Sequence, residues 1–89
     1  LETKKIGDLA QEYGEFGITA NCIARWAITV ERSAGYVGST LTAVRVEGQA
    51  IPRRGTVGEC AALAGFLASD RAGYITGQNY CVNGGAYFL

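Results

Sequence analysis

The chain has 89 residues, 48% of them apolar, and its eight basic and eight acidic side chains leave no net charge. That length holds one domain at most, and neutrality gives no basic footprint for nucleic acid. No apolar run approaches the ~20 residues of a membrane span, no signal-peptide pattern precedes the first element, and the lack of histidine and of any C-x-x-C spacing argues against a metal site; a soluble cytoplasmic protein is expected.

Residues Leu1 to Tyr13 carry Ile6, Leu9, Ala10 and Tyr13 at the i, i+3, i+4, i+7 spacing of one helix face. Gly7 weakens that helix by roughly 1 kcal/mol relative to alanine, and Gly14 is placed to end it as a left-handed cap. No Ser, Thr, Asp or Asn stands before Leu1 to cap the start, and Leu1 is not an initiator methionine, so a cut chain is expected. Gly17 to Ala24 reads as a buried strand, with Ile18, Ala20, Cys22 and Ala24 on one side and Thr19, Asn21 and Ile23 on the other. Asn21 is its one strongly polar residue; buried, it needs partners for donor and acceptor alike. Tying neighbouring loops together is the preferred role for it over direct ligand contact.

Arg25 to Ala50 starts where open α/β sheets bind ligands, at the carboxyl end of a strand. A structureless connection that long is unusual in a small domain, so a substrate lid is expected, with a solvent-facing loop as the alternative. Within it, Ser39 to Glu47 has the pattern of a short helix capped by Ser39 and ended by Gly48, and it also alternates like a strand. Arg53 and Arg54 read as a solvated turn, with a clamp on a partner carboxylate or phosphate as the second reading.

Thr56 to Ser69 carries the clearest helix signal. Thr56 and Glu59 form a capping box, and Cys60, Leu63, Ala64 and Leu67 make a stripe expected to be buried, with Ala61 and Ala68 permitting close approach to a sheet. Asp70 to Gly77 is a turn bearing Tyr74, Gln78 to Val82 a short strand, and Asn83-Gly84-Gly85 its exit. The two strands, joined by a long crossover, are expected to be parallel. Three scattered cysteines, Cys22, Cys60 and Cys81, read as small buried hydrophobes of a reducing compartment.

Four pieces in this order, G-I-T-A-N-C-I-A, R-x-G-T-x-x-E, F-L-A-S-D-x-A-x-Y-I-T-G-Q and V-N-G-G, resemble the C-terminal third of short-chain dehydrogenase/reductases of the 3-oxoacyl-carrier-protein reductase and glucose dehydrogenase type. The resemblance implies an α/β fold, the C-terminal part of a doubly wound parallel (Rossmann-type) sheet. Residues 1–89 would be one incomplete dinucleotide-binding domain with two parallel strands and flanking helices. It implies NAD or NADP as cofactor and a small carbonyl or alcohol substrate. It also implies a homo-oligomer built through the first helix and through the Val57–Ser69 helix with the last strand. The family's glycine-rich loop and catalytic serine have no counterpart here, and none of Tyr13, Tyr36, Tyr74, Tyr80 or Tyr87 has lysine four residues on, so no catalytic residue is carried over.

By the same resemblance, Trp26, Ala27, Ile28 and Thr29 fall where the family wraps the nicotinamide carboxamide. Ile28 matches the position whose backbone meets that group, and Thr29 stands one residue before the expected hydroxyl. The usual Pro-Gly is replaced by Arg25-Trp26. Trp26 adds bulk where the backbone approaches the ring: it fills that site, or it marks a chain no longer selected for turnover. A non-enzymatic alternative is a short protein that docks on full-length dehydrogenase subunits through the same helix faces.

Overall fold

Cys22–Arg25 (β1) and Asn79–Val82 (β4) pair in parallel, with Cys22 opposite Asn79 and Arg25 opposite Val82. The computed structural model describes residues 3–29 and 45–88. Ahead of β1 lies an α-helix, Thr3–Tyr13 (α1), followed by a single 3-10 turn, Gly14–Phe16. Two further strands of two residues each, Ile28–Thr29 (β2) and Gly55–Thr56 (β3), pair in parallel as a separate sheet. Helix α2, Val57–Leu67, follows β3 directly. Among the described residues no helix is long and apolar enough to cross a membrane.

The parallel pairing expected of the two main strands is present, and β1 is shorter than its apolar run. The Cys22 amide donates to the Gln78 carbonyl, and residues before it are held otherwise. The Ala20 amide donates to the Thr76 hydroxyl at 2.9 Å, and the Gly77 amide to the Ala20 carbonyl. Asn21 ties the two loops together as expected: its Nδ2 donates to the Ile75 carbonyl and its Oδ1 accepts from the Gln78 amide. Both amide functions are thereby satisfied at the amino end of the sheet.

Five other expectations are corrected. The left-handed glycine after α1 is Gly17, at φ +77°, because the 3-10 turn carries the chain three residues past Gly14 before it reverses. On α1, Ile6 and Ala10 are buried, Ala10 beside Gly77 of the turn before β4, while Leu9 and Tyr13 stay exposed. On α2 no residue is buried: Cys60, Leu63 and Leu67 are half-buried and Ala64 is exposed. That helix is apolar around its whole circumference except for Glu59, so the two-stranded sheet beneath covers only one side of it. For the same reason β1 is half-buried rather than buried, and the three cysteines are half-buried free thiols.

Residues 30–44, and with them Ser39 and most of the expected lid, lie outside the described residues. The portion that is described contradicts a helix running to Gly48: Glu47 and Gly48 form a turn closed by the Gln49 amide on the Val46 carbonyl.

The exit of β4 turns on Gly84 and Gly85, at φ +61° and +77°. A Cβ on Gly85 would lie 2.6 Å from the Ala50 Cβ, so Gly85 answers both a backbone and a packing demand. Gly85→Ala is expected to destabilise the protein by about 1–3 kcal/mol. Gly14→Ala, with open space around it, is expected to be neutral or slightly stabilising. Urea unfolding of the two variants checks the contrast; equal midpoints would remove the constraint assigned to Gly85.

Candidate functional site

Because β1 and β4 are parallel, their carboxyl ends emerge side by side, and a cleft of about 270 Å³ opens there. Trp26 and Ile28 form one wall, and Cys81, Val82 and the Asn83–Gly85 exit form another. This is where ligands bind in open α/β sheets.

Each wall is held from the backbone up. The Trp26 amide donates to the Val82 carbonyl at 3.1 Å, extending the β1–β4 ladder by one bond. The indole meets Tyr87 edge to face, with centroids 6.4 Å apart and planes at 80°, a favoured aromatic geometry. Tyr87 is placed by Asn83, which is buried. Its Nδ2 donates to the Tyr87 carbonyl, and its Oδ1 accepts from the Gly85 amide. One side chain thus shapes the glycine turn and positions the ring that backs Trp26.

Between β1 and β2 the chain bends at Ala27, whose φ of +56° lies in the left-handed region, at a cost of about 1–2 kcal/mol for a residue with a Cβ. Its carbonyl accepts from the Gly55 amide at 3.1 Å. In a parallel ladder, the residue between two bonded flanks turns its own N–H and C=O to the opposite edge. Ile28, opposite Gly55, therefore directs both backbone groups away from β3. Packing at this pair leaves no slack, since a Cβ on Gly55 would lie 2.7 Å from the Ile28 Cδ1.

Of the four residues expected at the site, Trp26 and Ile28 line the cleft. Ala27 is the bend between the strands, and Thr29 is exposed in β2 opposite Thr56.

The remaining wall was not foreseen. Gln49 is buried, and its Nε2 donates to the carbonyls of Ile51 and Arg53 at 3.1 and 3.2 Å. These bonds fix the amide orientation and leave Oε1 buried without a partner among the described residues. Nothing in the local pattern singles out this glutamine, because its partners are backbone carbonyls, which any residue could supply.

Beside it, Arg53 grips Glu59 with two parallel bonds of 2.9 and 2.8 Å. The paired arginines thus include a clamp, on a carboxylate of the same chain. The expected capping box is present as well: the Glu59 amide donates to the Thr56 Oγ1, and the Thr56 amide to the Glu59 Oε1. The Arg53 guanidinium, with the Thr56 amide, holds the Glu59 carboxyl down at about 2, and the carboxylate in turn raises Arg53.

The parallel strands, the cleft at their carboxyl ends and the glycine exit define part of a Rossmann-type α/β sheet. The profile of the family described as enoyl-(acyl carrier protein) reductase matches residues 6–87. The chain is 36% identical over 77 residues to a cyclohexanol dehydrogenase of Rhodococcus sp. (strain TK6), covering 86% of this chain and 28% of that one. It superposes on a 3-oxoacyl-[acyl-carrier protein] reductase of Brucella melitensis with a TM-score of 0.85 and 30% identity, over 98% of this chain and 32% of that one. A Brucella melitensis reductase of the same description with bound NAD gives a TM-score of 0.81 at 28% identity, over 98% and 30% of the two chains. A blue fluorescent protein from a metagenomic library, in complex with NADPH, gives 0.73 at 30%, over 93% and 33%. The chain belongs to the short-chain dehydrogenase/reductase family, and it spans about a third of the length of the relatives it matches.

The Glu59 titration follows from its clamp. Its carboxyl binds a proton more weakly when folded (about 2) than at its ordinary value of 4.5. Its stabilising contribution is therefore complete above about 4.5 and is lost as pH falls from there through about 2. A carboxyl NMR titration is expected to place the wild-type midpoint near 2 and the Arg53→Gln midpoint higher, toward 4.5. A wild-type midpoint at the ordinary value would rule the clamp out in solution.

Proposed function

We propose that this chain is the C-terminal segment of an NAD(P)-dependent oxidoreductase acting on carbonyl or alcohol substrates. In this reading residues 1–89 belong to a single dinucleotide-binding domain of a cytoplasmic enzyme. They supply part of the nicotinamide site, the substrate lid within Arg25–Ala50, and subunit contacts. The observation that carries it is the setting of Ile28, at the cleft beyond the carboxyl end of β1, with its N–H and C=O both turned away from β3.

A carboxamide offers one donor and one acceptor, and a backbone N–H and C=O from one residue complement it. The apolar walls formed by Trp26, Ile28 and Val82 suit one face of a planar ring. Ala27 bends the chain so that Ile28 faces the cleft, and Thr29 holds the far end of the segment through β2. When bound, the nicotinamide supplies or accepts the hydride. The residues of this chain place it and keep water from one side.

Support for subunit contacts comes from apolar side chains left open on both helices: Leu9 and Tyr13 on α1, and Val57 and Phe66 on α2. A helix apolar on all sides is stable only when its outer face is also covered. A homo-oligomer formed through these faces is the reading this supports. In the native protein, an intact mass well beyond that of 89 residues together with saturable NADH or NADPH binding tests the proposal; neither cofactor binding would overturn it.

Trp26 narrows the cleft. The Cys22 and Trp26 amides, at even positions, bond the Gln78 and Val82 carbonyls, so alternation along the ladder turns the Arg25 amide the other way. Proline at that position therefore removes no bond between β1 and β4. Trp26→Gly combined with Arg25→Pro is expected to raise NAD(P)H affinity in a fluorescence titration. Unchanged or weaker binding would show that the indole is not an obstruction.

A further inference from the structure

We propose that Arg53 and Glu59 are positioning residues for the Trp26–Thr29 segment: closing the turn before α2, they hold Gly55–Thr56 in register with Ile28–Thr29 and set how the Ile28 backbone faces the cleft. The proposal rests on the reading above that this segment meets the nicotinamide.

A parallel ladder of two residues on each strand is too short to align itself. Its register must be imposed from its ends. On the β2 side the anchor is β1, since Trp26 is bonded to Val82 and Ala27 follows at once. On the β3 side the anchor is Glu59. One oxygen of its carboxylate accepts from the Thr56 amide, and both oxygens accept from Arg53. Arg53 also donates from Nη1 to the Arg54 carbonyl, and its own carbonyl is held by Gln49. The turn from Arg53 to Thr56 is therefore fastened from both sides, and β3 is the segment it presents.

The tolerance is tight because the Gly55 amide must reach the Ala27 carbonyl while its Cα lies against the Ile28 side chain. Arg53 and Glu59 line the same cleft as Ile28. Their side chains are about half exposed, where ion pairs contribute little to stability unless the geometry is bidentate. Their effect is thus expected in the placement of the segment more than in the melting temperature.

The test uses the complete protein and whichever of NADH and NADPH the wild type binds more tightly. Glu59→Gln keeps a capping-box acceptor for the Thr56 amide and loses the charged clamp; Arg53→Gln loses it from the other side. Each variant is expected to weaken cofactor binding by about five- to tenfold, with the double variant no weaker than either single one, as coupled partners require. Hydrogen exchange at the Gly55 amide is expected to quicken in all three, with circular dichroism unchanged. Cofactor affinity within about twofold of wild type, or losses that simply add, would overturn the proposal. A wild type that binds neither cofactor would instead overturn the preceding reading, and the Gly55 exchange rate would still decide whether the clamp aligns the segment.

Discussion

The parallel pairing of β1 with β4 is the constraint on which the rest of the structure depends. Parallel strands cannot be joined by a tight turn, so the chain between Arg25 and Asn79 has to travel out and return, carrying β2, β3 and α2 with it. The pairing also sends both strands out at one edge, and the cleft exists because two chain directions agree. An asparagine secures each end of this ladder. Asn21 binds the loops at its amino end, and Asn83 orders the glycine turn at its carboxyl end. Each places both amide functions on backbone groups, so irregular chain at the sheet ends is paired without lengthening the strands.

The contacts legible in the sequence were local or carried by a single well-marked residue. The start of α2 could be read from Thr56 and Glu59, because a capping box is written within four positions. The role of Asn21 followed from a polar amide inside an apolar run. By contrast, β2 and β3 have two residues each and lie 27 positions apart by their register, so neither has a period to detect. The Arg53–Glu59 grip was hidden for a related reason. The six-residue spacing spans a turn and the first turn of a helix, and no single repeat describes it. Gln49 carried no local signal at all, since the Arg53 carbonyl it holds is four residues on, around a turn that only tertiary structure sets.

Burial was the weakest of the expectations, and the discrepancy has one cause. Periodicity reports which faces of an element are apolar, not how many neighbours are present to cover them. The face of α1 split between Ile6 and Ala10, which are covered, and Leu9 and Tyr13, which are not. On α2 the stripe chosen from the pattern was only part of an apolar circumference. The described residues contain three buried apolar side chains, Ile6 and Ala10 on α1 and Ala72 in the turn before β4. The centre of the sheet contributes none of them. The contact of Ala10 with Gly77 and the cleft are thus at opposite ends of the strands.

Ala27 gives this arrangement a further property. A residue with a side chain does not rest in left-handed backbone on its own account; here the bond from Gly55 to its carbonyl holds it there. The bend that aims Ile28 is therefore conditional. It is loaded when the second strand pair is assembled and is free to relax when that pair opens. The conformation of the segment thus reports on the assembly of its neighbours, and one wall of the cleft keeps its shape only while that second pair is closed.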